Sequence, residues 1–451
     1  MFKFWQSITL WKRVLIGLVI GVSIGLSLRY GLPELATQDS DGNPITLKGI
    51  DRAAAIGTTW FLPIGNAFIR LIKMLIVPLI ATTLVVGVTA MGDPKKLGSL
   101  GIKTISLYLL TTLFAVSLGL VMGTILQPGV GVKYEEAVDK ANIAAVQGKI
   151  DTAKDAKFID RMLEIIPDNP VAAWADGAVL PTIFFSILIG IGILLCGPSA
   201  NPIKDFFDAA VEVVMKITML VMELAPYGVC ALMAWVMCTK GIEVLNNLLW
   251  LAIALYVSCL LQIFFVYGGL IIRLGLKLPM IQFFRGILDA QGVAFSTASS
   301  SATLPVSISC AEKNLGVDKS VAGSVLPLGA TINMDGTAIY LGLVALFAAQ
   351  AGGFDLTMTQ YVMVAVTATL VSIGAAGIPS AGLLLAATVL DVVGVTEAQA
   401  ILVIAFICPF DRLLDMMRTV TNVSGDIAVA CAVAKWEGEL DEKAFRMEAE
   451  V

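Results

Sequence analysis

Long apolar runs recur along the chain, with short polar loops between them. A helix that crosses a bilayer needs about 20 predominantly apolar residues. The runs predict helices at residues 14–28, 51–91, 98–126, 171–196, 203–238 and 242–274. Several of these runs exceed the length of a perpendicular crossing, so we expect strongly tilted helices.

The first apolar run follows a basic and aromatic N-terminal segment and could therefore be a signal-peptide core or a first span. No cleavage site of small residues follows it, and its Trp and Lys/Arg flanks suit a cytoplasmic anchor. We therefore predict a spanning helix. Residues 129–170, in contrast, carry mixed charge and helical character and are too polar to span, so they predict an aqueous insertion.

Two later segments are apolar but interrupted. Residues 281–310 have two short arms around a Ser-rich centre and Pro305, and residues 361–392 have two arms around a tip of Gly, Pro and small residues. Both predict re-entrant helical hairpins. A spanning helix follows each one: residues 318–349, broken at GATINMDGT, and a helix that contains residues 409–432. Paired interrupted segments of this kind indicate a transporter site near the bilayer midplane.

Residues 409–432 carry a polar stripe in an otherwise apolar chain. Because a helix advances by about 100° per residue, one face collects Asp411, Asp415, Arg418, Thr419, Asn422 and Asp426. The opposite side is apolar. Charges inside a membrane are costly and usually functional, so this stretch predicts a binding helix that turns its polar face inward.

The composition agrees with a polytopic membrane protein. Hydrophobic residues make up 57% of the 451 residues and charged residues 14%, against about 25% charged in soluble domains. The chain has no histidine, which excludes Ser-His-Asp triads and His metal sites. Its seven cysteines lack CxxC spacing and indicate no disulfide framework. The net charge of −5 gives no reason to expect a nucleic-acid partner.

Four motifs carry a resemblance to a known family: SSSATLP at 299–305, PLGATINMDGTA at 327–338, SIGAAGIPSAG at 372–382 and DRLLDMMRTVTNVSGD at 411–426. In these motifs the chain resembles the glutamate transporter family, the dicarboxylate/amino acid:cation symporters. The order of predicted spans and hairpins agrees along nearly the whole chain, apart from the aqueous insertion and the tails.

The resemblance implies an all-α polytopic membrane protein with eight transmembrane helices, two re-entrant hairpins and inverted repeats. It also implies a homotrimer among membrane lipids, in a prokaryotic inner membrane, that works by an elevator mechanism. The corresponding segments are a scaffold at 1–96, transport domain at 97–128, insertion and scaffold at 129–241, transport domain at 242–435 and a cytoplasmic tail at 436–451.

The resemblance also implies a substrate pocket. It places Arg418 against a side-chain carboxylate of the substrate, which the planar guanidinium fork suits, and Asp415 against the substrate's amino group. The rest of the pocket would be Ser299, Ser300, Ser301, Thr337, Thr419 and Asn422, with Gly377, Ile378, Pro379 and Ser380 as the gate.

Three Na⁺ sites are implied in the same way. The first would combine Asp426 with Gly329, Asn333 and Asn422, the second Asp335 and Asn333 with Tyr108, Thr111 and Thr112, and the third Thr331, Ser372, Ile373 and Ala375. By spacing alone, the hydroxyls of the third predicted helix also fit Ser/Thr side chains bonded to their own backbone.

Three positions depart from the family pattern. Archaeal members carry an arginine where Ala298 stands and eukaryotic members carry one where Met416 stands, so the pocket lacks that charge. Proton-coupled members have a glutamate where Leu341 stands, so we expect no proton coupling. We hypothesise that Arg412, at the edge of the polar stripe, supplies the missing charge; the alternative is that it points to water or lipid head groups.

These features predict a Na⁺-coupled symporter for aspartate or glutamate. The alternatives are a C4-dicarboxylate or neutral amino-acid carrier of the same family, an anion channel, and an intramembrane hydrolase that uses Ser300. The hydrolase is disfavoured because a catalytic base is missing, and a dicarboxylate would leave Asp415 without an ammonium partner.

Overall fold

The computed structural model describes residues 8, 10–38, 44–89, 100–132, 163, 165–375 and 380–446. These residues are helical except for loops, an isolated bridge and a short antiparallel hairpin of β1 (Leu35–Gln38) and β2 (Pro44–Leu47). The hairpin lies between two of the predicted spans, where the sequence predicts only a loop. Most of the predicted aqueous insertion, residues 133–162, lies outside the described residues.

Within the described ranges, six helical stretches are long and apolar enough to cross a membrane. They are Lys12–Gly31, Gly49–Thr89, Ile102–Leu126, Val179–Met222, Leu245–Gly275 and Lys319–Ala351. The chain is therefore consistent with a polytopic membrane protein, and the predicted number of eight spans stays a prediction.

The first half of the chain forms eight helices in the described residues. They are α1 (Leu10–Gly31), α2 (Gly49–Ile56), α3 (Leu62–Thr89), α4 (Ile102–Leu126), α5 (Pro170–Ala175), α6 (Val179–Cys196), α7 (Asn201–Met222) and α8 (Ala225–Lys240). A π-helical turn at Gly57–Phe61 joins α2 to α3. The predicted second span is thus continuous.

Two predicted spans are divided. The prediction of one helix over 203–238 is wrong because α7 ends at Met222 and α8 begins at Ala225. Pro226 lies in the first turn of α8, where its missing N–H costs nothing. Glu223, between the two helices, accepts hydrogen bonds of 2.6 and 3.0 Å from Arg13 of α1. The predicted span 171–196 is likewise interrupted between α5 and α6.

The second half begins with α9 (Glu243–Leu261), which continues as a π-helical segment (Gln262–Gly275). The helices after it are α10 (Met280–Thr297), α11 (Ser300–Ser309), α12 (Lys319–Ile332), α13 (Asp335–Ala351), α14 (Met358–Ile373), α15 (Ala381–Val392), α16 (Glu397–Glu437) and α17 (Glu442–Phe445).

The two interrupted segments are helix pairs, as predicted. In hairpin 1, which comprises α10 and α11, Ala298 ends the first helix with a left-handed φ of 50°. Ser299 then caps α11 by accepting a hydrogen bond from the backbone N–H of Ala302. Hairpin 2 comprises α14 and α15. Its tip at residues 376–379 lies outside the described residues.

The core is centred on α13, which is buried nearly along its whole length. It packs against α4, α9, α14, α15 and α16. The predicted break before it is confirmed, since α12 ends at Ile332 and α13 begins at Asp335. The two residues between these helices are therefore free of regular helical geometry, deep inside the protein.

The end of the chain folds back onto the loop that follows hairpin 1. Leu440 pairs with Val317 in an isolated antiparallel bridge, and the ring of Phe445 is fully buried. Lys435 donates a hydrogen bond to the carbonyl of Leu276 and forms an ion pair with Glu442. The hydrogen bond from Lys435 holds the pKa of Glu442 below its usual range. This part of the predicted cytoplasmic tail is thus a packed segment.

Candidate functional site

The polar stripe of α16 is buried in the centre of the protein. The exposed fraction is at most 5% for each of Asp411, Asp415, Arg418, Thr419, Asn422 and Asp426. Charged side chains at this depth need partners, because an unpaired buried charge is costly. Their partners come from α16 itself, from α13 and the break before it, and from hairpin 2.

Arg418 is completely buried and pairs with two carboxylates of its own helix. One of its Nη atoms donates to Asp411 at 2.9 Å and to Asp415 at 2.7 Å. The guanidinium carbon also lies 4.1 Å from the centre of the Tyr340 ring, a cation–π contact. Asp411 was predicted only as part of the polar face, and Tyr340 was not predicted at all. Spacings of three and seven residues on one helix face were the available signal for the two carboxylates.

Thr337 and the start of α15 lie beside the guanidinium of Arg418. A Cβ atom at Gly382 would lie 2.5 Å from Nη1 of Arg418 and 3.1 Å from Cγ2 of Thr337. Glycine at position 382 thus leaves room for the guanidinium. The guanidinium is thus a fixed cation beside Thr337 and the first turn of α15.

Asp415 connects α16 to hairpin 2. One of its oxygens accepts a hydrogen bond of 2.7 Å from the backbone N–H of Ser380, and the other is paired with Arg418. The hydroxyl of Thr419 donates to the carbonyl of Asp415. The other predicted gate residues, Gly377, Ile378 and Pro379, lie outside the described residues.

The tip of hairpin 1 meets α16 through Arg412. This arginine is 8% exposed, and one Nη donates to the carbonyl of Thr297 at 3.0 Å. The alternative that Arg412 points to water or lipid head groups is therefore wrong. In the same tip, Ser299 and Ser300 are buried and Ser301 is exposed.

A first candidate cation site surrounds Asp335 at the start of α13. Its carboxylate accepts hydrogen bonds from the hydroxyl of Thr112 at 2.6 Å, from the amide of Gln262 at 3.0 Å and from the hydroxyl of Tyr267. Thr111 donates to the side-chain oxygen of Asn333 at 3.4 Å. Four members of the predicted set are thus in contact, whereas the hydroxyl of Tyr108 donates to the carbonyl of Val325 on α12 at 3.0 Å.

Gln262 and Tyr267 were missed by the sequence analysis. Both lie fully buried on the π-helical segment after α9. A glutamine inside a long apolar run was the only signal for this position.

A second candidate cation site surrounds Asp426. Its carboxylate accepts a hydrogen bond of 2.9 Å from the amide of Asn333. A Cβ atom at Gly329 would lie 2.5 Å from both the Asp426 carboxylate and the hydroxyl of Tyr108, so the backbone of α12 can approach only without a side chain. Asn422, one turn earlier on α16, accepts from the backbone N–H of Gly336 at 2.7 Å.

The third predicted set is less tightly arranged. Thr331 lies near the end of α12, and a Cβ atom at Gly87 of α3 would lie 3.2 Å from its methyl group. The other members close α14, where the carbonyl of Ser372 already accepts from the N–H of Ala375 at 2.9 Å. The structure thus places these residues on neighbouring helix ends without a shared polar contact in the described part of the chain.

The charges of the site do not balance. Arg418 pairs with Asp411 and Asp415, whereas no lysine or arginine of the described residues forms an ion pair with Asp335 or Asp426. Two carboxylates in a dry interior favour a bound cation, and hard cations prefer carboxylate, carbonyl and hydroxyl oxygens. The groups around Asp335 and Asp426 are carboxylates, hydroxyls and amides, a donor set that suits an alkali cation better than a transition metal.

A protein family and several known proteins are similar to this chain over most of its length. The model of the Sodium:dicarboxylate symporter family matches residues 10–436. A proton/sodium-glutamate symport protein of Geobacillus stearothermophilus is 33% identical over 441 residues, which cover 97% of each chain. The C4-dicarboxylate transport protein 3 of Bradyrhizobium diazoefficiens is 35% identical over 439 residues, or 97% of this chain and 91% of the relative. A proton/glutamate-aspartate symporter of Bacillus subtilis is 35% identical over 384 residues, or 85% of this chain and 89% of the relative.

Proposed function

Because the chain belongs to the sodium:dicarboxylate symporter family, we propose that it couples inward movement of Na⁺ to the uptake of acidic amino acids. Members of this family are transporters and not enzymes, so the alternative of a hydrolase that uses Ser300 is wrong. The chain is a multi-pass membrane protein, and its bacterial relatives imply the inner membrane.

The pairing of Arg418 with Asp415 carries the proposal for the substrate. An acidic amino acid has an ammonium group for Asp415 and a side-chain carboxylate for Arg418. In the structure, Arg418 and Asp415 already pair with each other, at 2.7 Å. The substrate would therefore exchange one charge-assisted hydrogen bond for another, and Thr337, Thr419, Asn422, Ser299, Ser300, Ser301 and the 377–380 tip would complete its pocket.

The unbalanced carboxylates support the proposal for the cations. Na⁺ at Asp426 would also contact Asn333 and Asn422. Na⁺ at Asp335 would lie among Thr111, Thr112 and Tyr108. The side-chain amide of Asn333 donates to Asp426, and its oxygen accepts from the hydroxyl of Thr111. The side-chain oxygen of Asn422 accepts from the backbone N–H of Gly336. Cation binding would thus fix the break before α13, and with it the neighbouring Thr337. This shared element is a physical route for coupling cation to substrate.

The test of the function is accumulation in proteoliposomes. An imposed inward Na⁺ gradient is expected to drive uphill uptake of labelled aspartate or glutamate. An anion channel cannot concentrate its solute against a gradient. Equilibration without accumulation, or accumulation that is independent of Na⁺, would contradict the proposal.

The second candidate is a C4-dicarboxylate carrier, which the name of one relative at 35% identity favours. A dicarboxylate without an ammonium group would place a carboxylate near Asp415, with only Arg418 and Arg412 as described cations nearby. We therefore expect unlabelled aspartate or glutamate to inhibit uptake at concentrations roughly tenfold or more below those of succinate, since like charges at short range repel. Serine is expected to inhibit weakly because it has no carboxylate for Arg418. Equal inhibition by succinate and aspartate would favour the C4-dicarboxylate carrier.

Coupling to Na⁺ without protons is a separate prediction. Leu341 is fully buried on α13, on the turn after Thr337, and cannot carry a proton. Uptake at a fixed Na⁺ gradient is expected to change little between about pH 6 and pH 8, the range in which a raised Glu pKa would titrate. The measurement is initial uptake together with a pH-sensitive dye in the lumen. Acidification of the lumen that depends on substrate, after correction for leak, would establish proton coupling instead.

We also propose the domain division, the elevator mechanism and the homotrimer that the resemblance implies. The described site residues all belong to α4 and to helices between α9 and α16. They fall within 97–128 and 242–435, the proposed transport domain, and none falls within 1–96 or 129–241, the proposed scaffold. A site carried entirely by one group of helices can move as a unit with its ligand, as an elevator requires.

A further inference from the structure

Hairpin 1 is joined to α16 by two side-chain hydrogen bonds in the described part of the chain. Gln291, in the middle of α10, donates to the hydroxyl of Ser424 at 2.9 Å. Arg412 donates to the carbonyl of Thr297 at 3.0 Å, at the very end of α10. The first bond holds the shaft of the hairpin and the second holds its tip. The substrate and cation sites proposed above do not use Arg412.

The carbonyl of Thr297 is a group that needs a donor. The last carbonyls of a helix have no partner within it, and the C-terminal end of a helix carries partial negative charge. Ala298 takes the chain out of the helix with its left-handed φ of 50°, and its own N–H closes the turn onto Ala294 at 2.8 Å. A guanidinium supplies both a hydrogen-bond donor and a positive charge at this point.

The acidic groups around Arg412 are engaged elsewhere. Asp411 and Asp415 lie on the same helix, and both are paired with Arg418. Arg412 also lines a narrow cavity together with Ser380, Cys408 and apolar side chains of α1, α3, α7, α8 and α15. None of these groups is acidic, so the backbone carbonyl is the partner that fixes the guanidinium. Arg418 is the cation that forms ion pairs with Asp411 and Asp415, whereas the hydrogen bond of Arg412 goes to hairpin 1.

We infer that Arg412 is a positioning residue that caps α10 from α16 and thereby fixes the tip of hairpin 1. The tip contains the turn at Ala298 and the cap Ser299, whose hydroxyl and carbonyl bond to Ala302 and Thr303. A capped α10 holds this turn in one conformation, with Ser299 and Ser300 facing inward. The link to substrate binding rests on the proposed function, whereas the link to the conformation of the tip does not.

The test compares Arg412→Met, Arg412→Lys and the control Gln291→Leu by hydrogen–deuterium exchange in nanodiscs. Arg412→Met keeps the volume of the side chain and removes its donors, so amide exchange of residues 298–303 is expected to rise roughly tenfold, as loss of a charged helix-end contact implies. Arg412→Lys keeps a donor and the charge and should restore much of the protection. Gln291→Leu should leave exchange of the tip unchanged, because Arg412 still caps α10.

Transport gives the second measurement. Arg412→Met is expected to raise the KM for aspartate by roughly tenfold and to change the maximal rate by less than about twofold, because the tip loosens before the substrate binds. Arg412→Lys should return the KM toward that of the parent, and thermal unfolding of each variant checks that the fold is kept.

Parental exchange at the tip in Arg412→Met would overturn the inference, and so would equal loosening in Gln291→Leu. Loss of folding in Arg412→Met together with parental exchange and KM in Arg412→Lys would support the cap, because lysine keeps only the donor and the charge. Faster exchange at the tip in a protein that accumulates no aspartate would support the inference and contradict the proposed function.

Discussion

Replacement of Arg418 by Thr is expected to abolish the uptake of acidic amino acids. Truncation of one partner of a buried, hydrogen-bonded charge pair costs about 2–5 kcal/mol, so affinity for aspartate should fall by roughly hundredfold or more. Arg418 is completely buried, and the described residues offer no other arginine beside both Thr337 and Gly382. A neutral amino acid lacks the carboxylate that loses its partner, so its uptake should suffer less. The measurement is labelled uptake of aspartate and serine by the same proteoliposomes.

The control for this variant must account for the two carboxylates that Arg418 holds. Arg418→Thr leaves Asp411 and Asp415 without their cation, which alone could destabilise the fold. The double variant Arg418→Thr with Asp411→Asn removes one of these charges while Asp415 stays available for an ammonium group. It is expected to fold as the parent does and still to fail with aspartate. Parental affinity for aspartate in either variant would show that Arg418 does not bind the substrate.

The breaks in the helices could be predicted because their causes are local. The Gly/Pro segment at 372–382 lies between α14 and α15, and GATINMDGT contains the break between α12 and α13. The Ser-rich motif marks the turn of hairpin 1 at its first residue, Ser299, whereas Pro305 lies inside α11. Each signal is a residue type that a helix interior disfavours. The break between α7 and α8 was missed because Glu223 is the one charge in a long apolar run, and a proline is tolerated in the first turn of a helix.

The partners within the site could not be predicted, since they depend on contacts between distant parts of the chain. The periodicity of α16 gave the shared face of Asp411, Asp415 and Arg418 but not the pairing of Arg418 with both carboxylates. Gln262 and Tyr267 bond to Asp335, about 70 residues away, a contact that only the packing of α9 against α13 creates. Arg412 lies near the stripe, yet its partner is a backbone carbonyl.

Asp335 and Asp426, the two carboxylates without an ion pair in the described residues, predict a second large effect: removal of one of these charges should change the dependence of transport on Na⁺. Asp426 is the better of the two for a test. Asp335 receives hydrogen bonds on both of its oxygens, so an asparagine there would direct an N–H group at another donor. Among the described residues, Asn333 alone donates a side-chain hydrogen bond to Asp426, to one oxygen. Asn at position 426 can keep that bond and lose only the charge.

Asp426→Asn is therefore expected to raise the Na⁺ concentration for half-maximal uptake by roughly hundredfold or more, because removal of one partner of a buried ionic contact costs about 3–5 kcal/mol. Substrate affinity at saturating Na⁺ should fall much less, since Arg418 and Asp415 are intact. Thr421→Val is the matched control: Thr421 is fully buried on the same helix, its hydroxyl donates to the carbonyl of Met417, and it belongs to none of the proposed Na⁺ or substrate sites, so the Na⁺ dependence should be unchanged. A parental Na⁺ dependence in Asp426→Asn would remove Asp426 from the cation site. Asp335 would then be the remaining buried carboxylate able to hold the coupling ion, among the hydroxyls of α4.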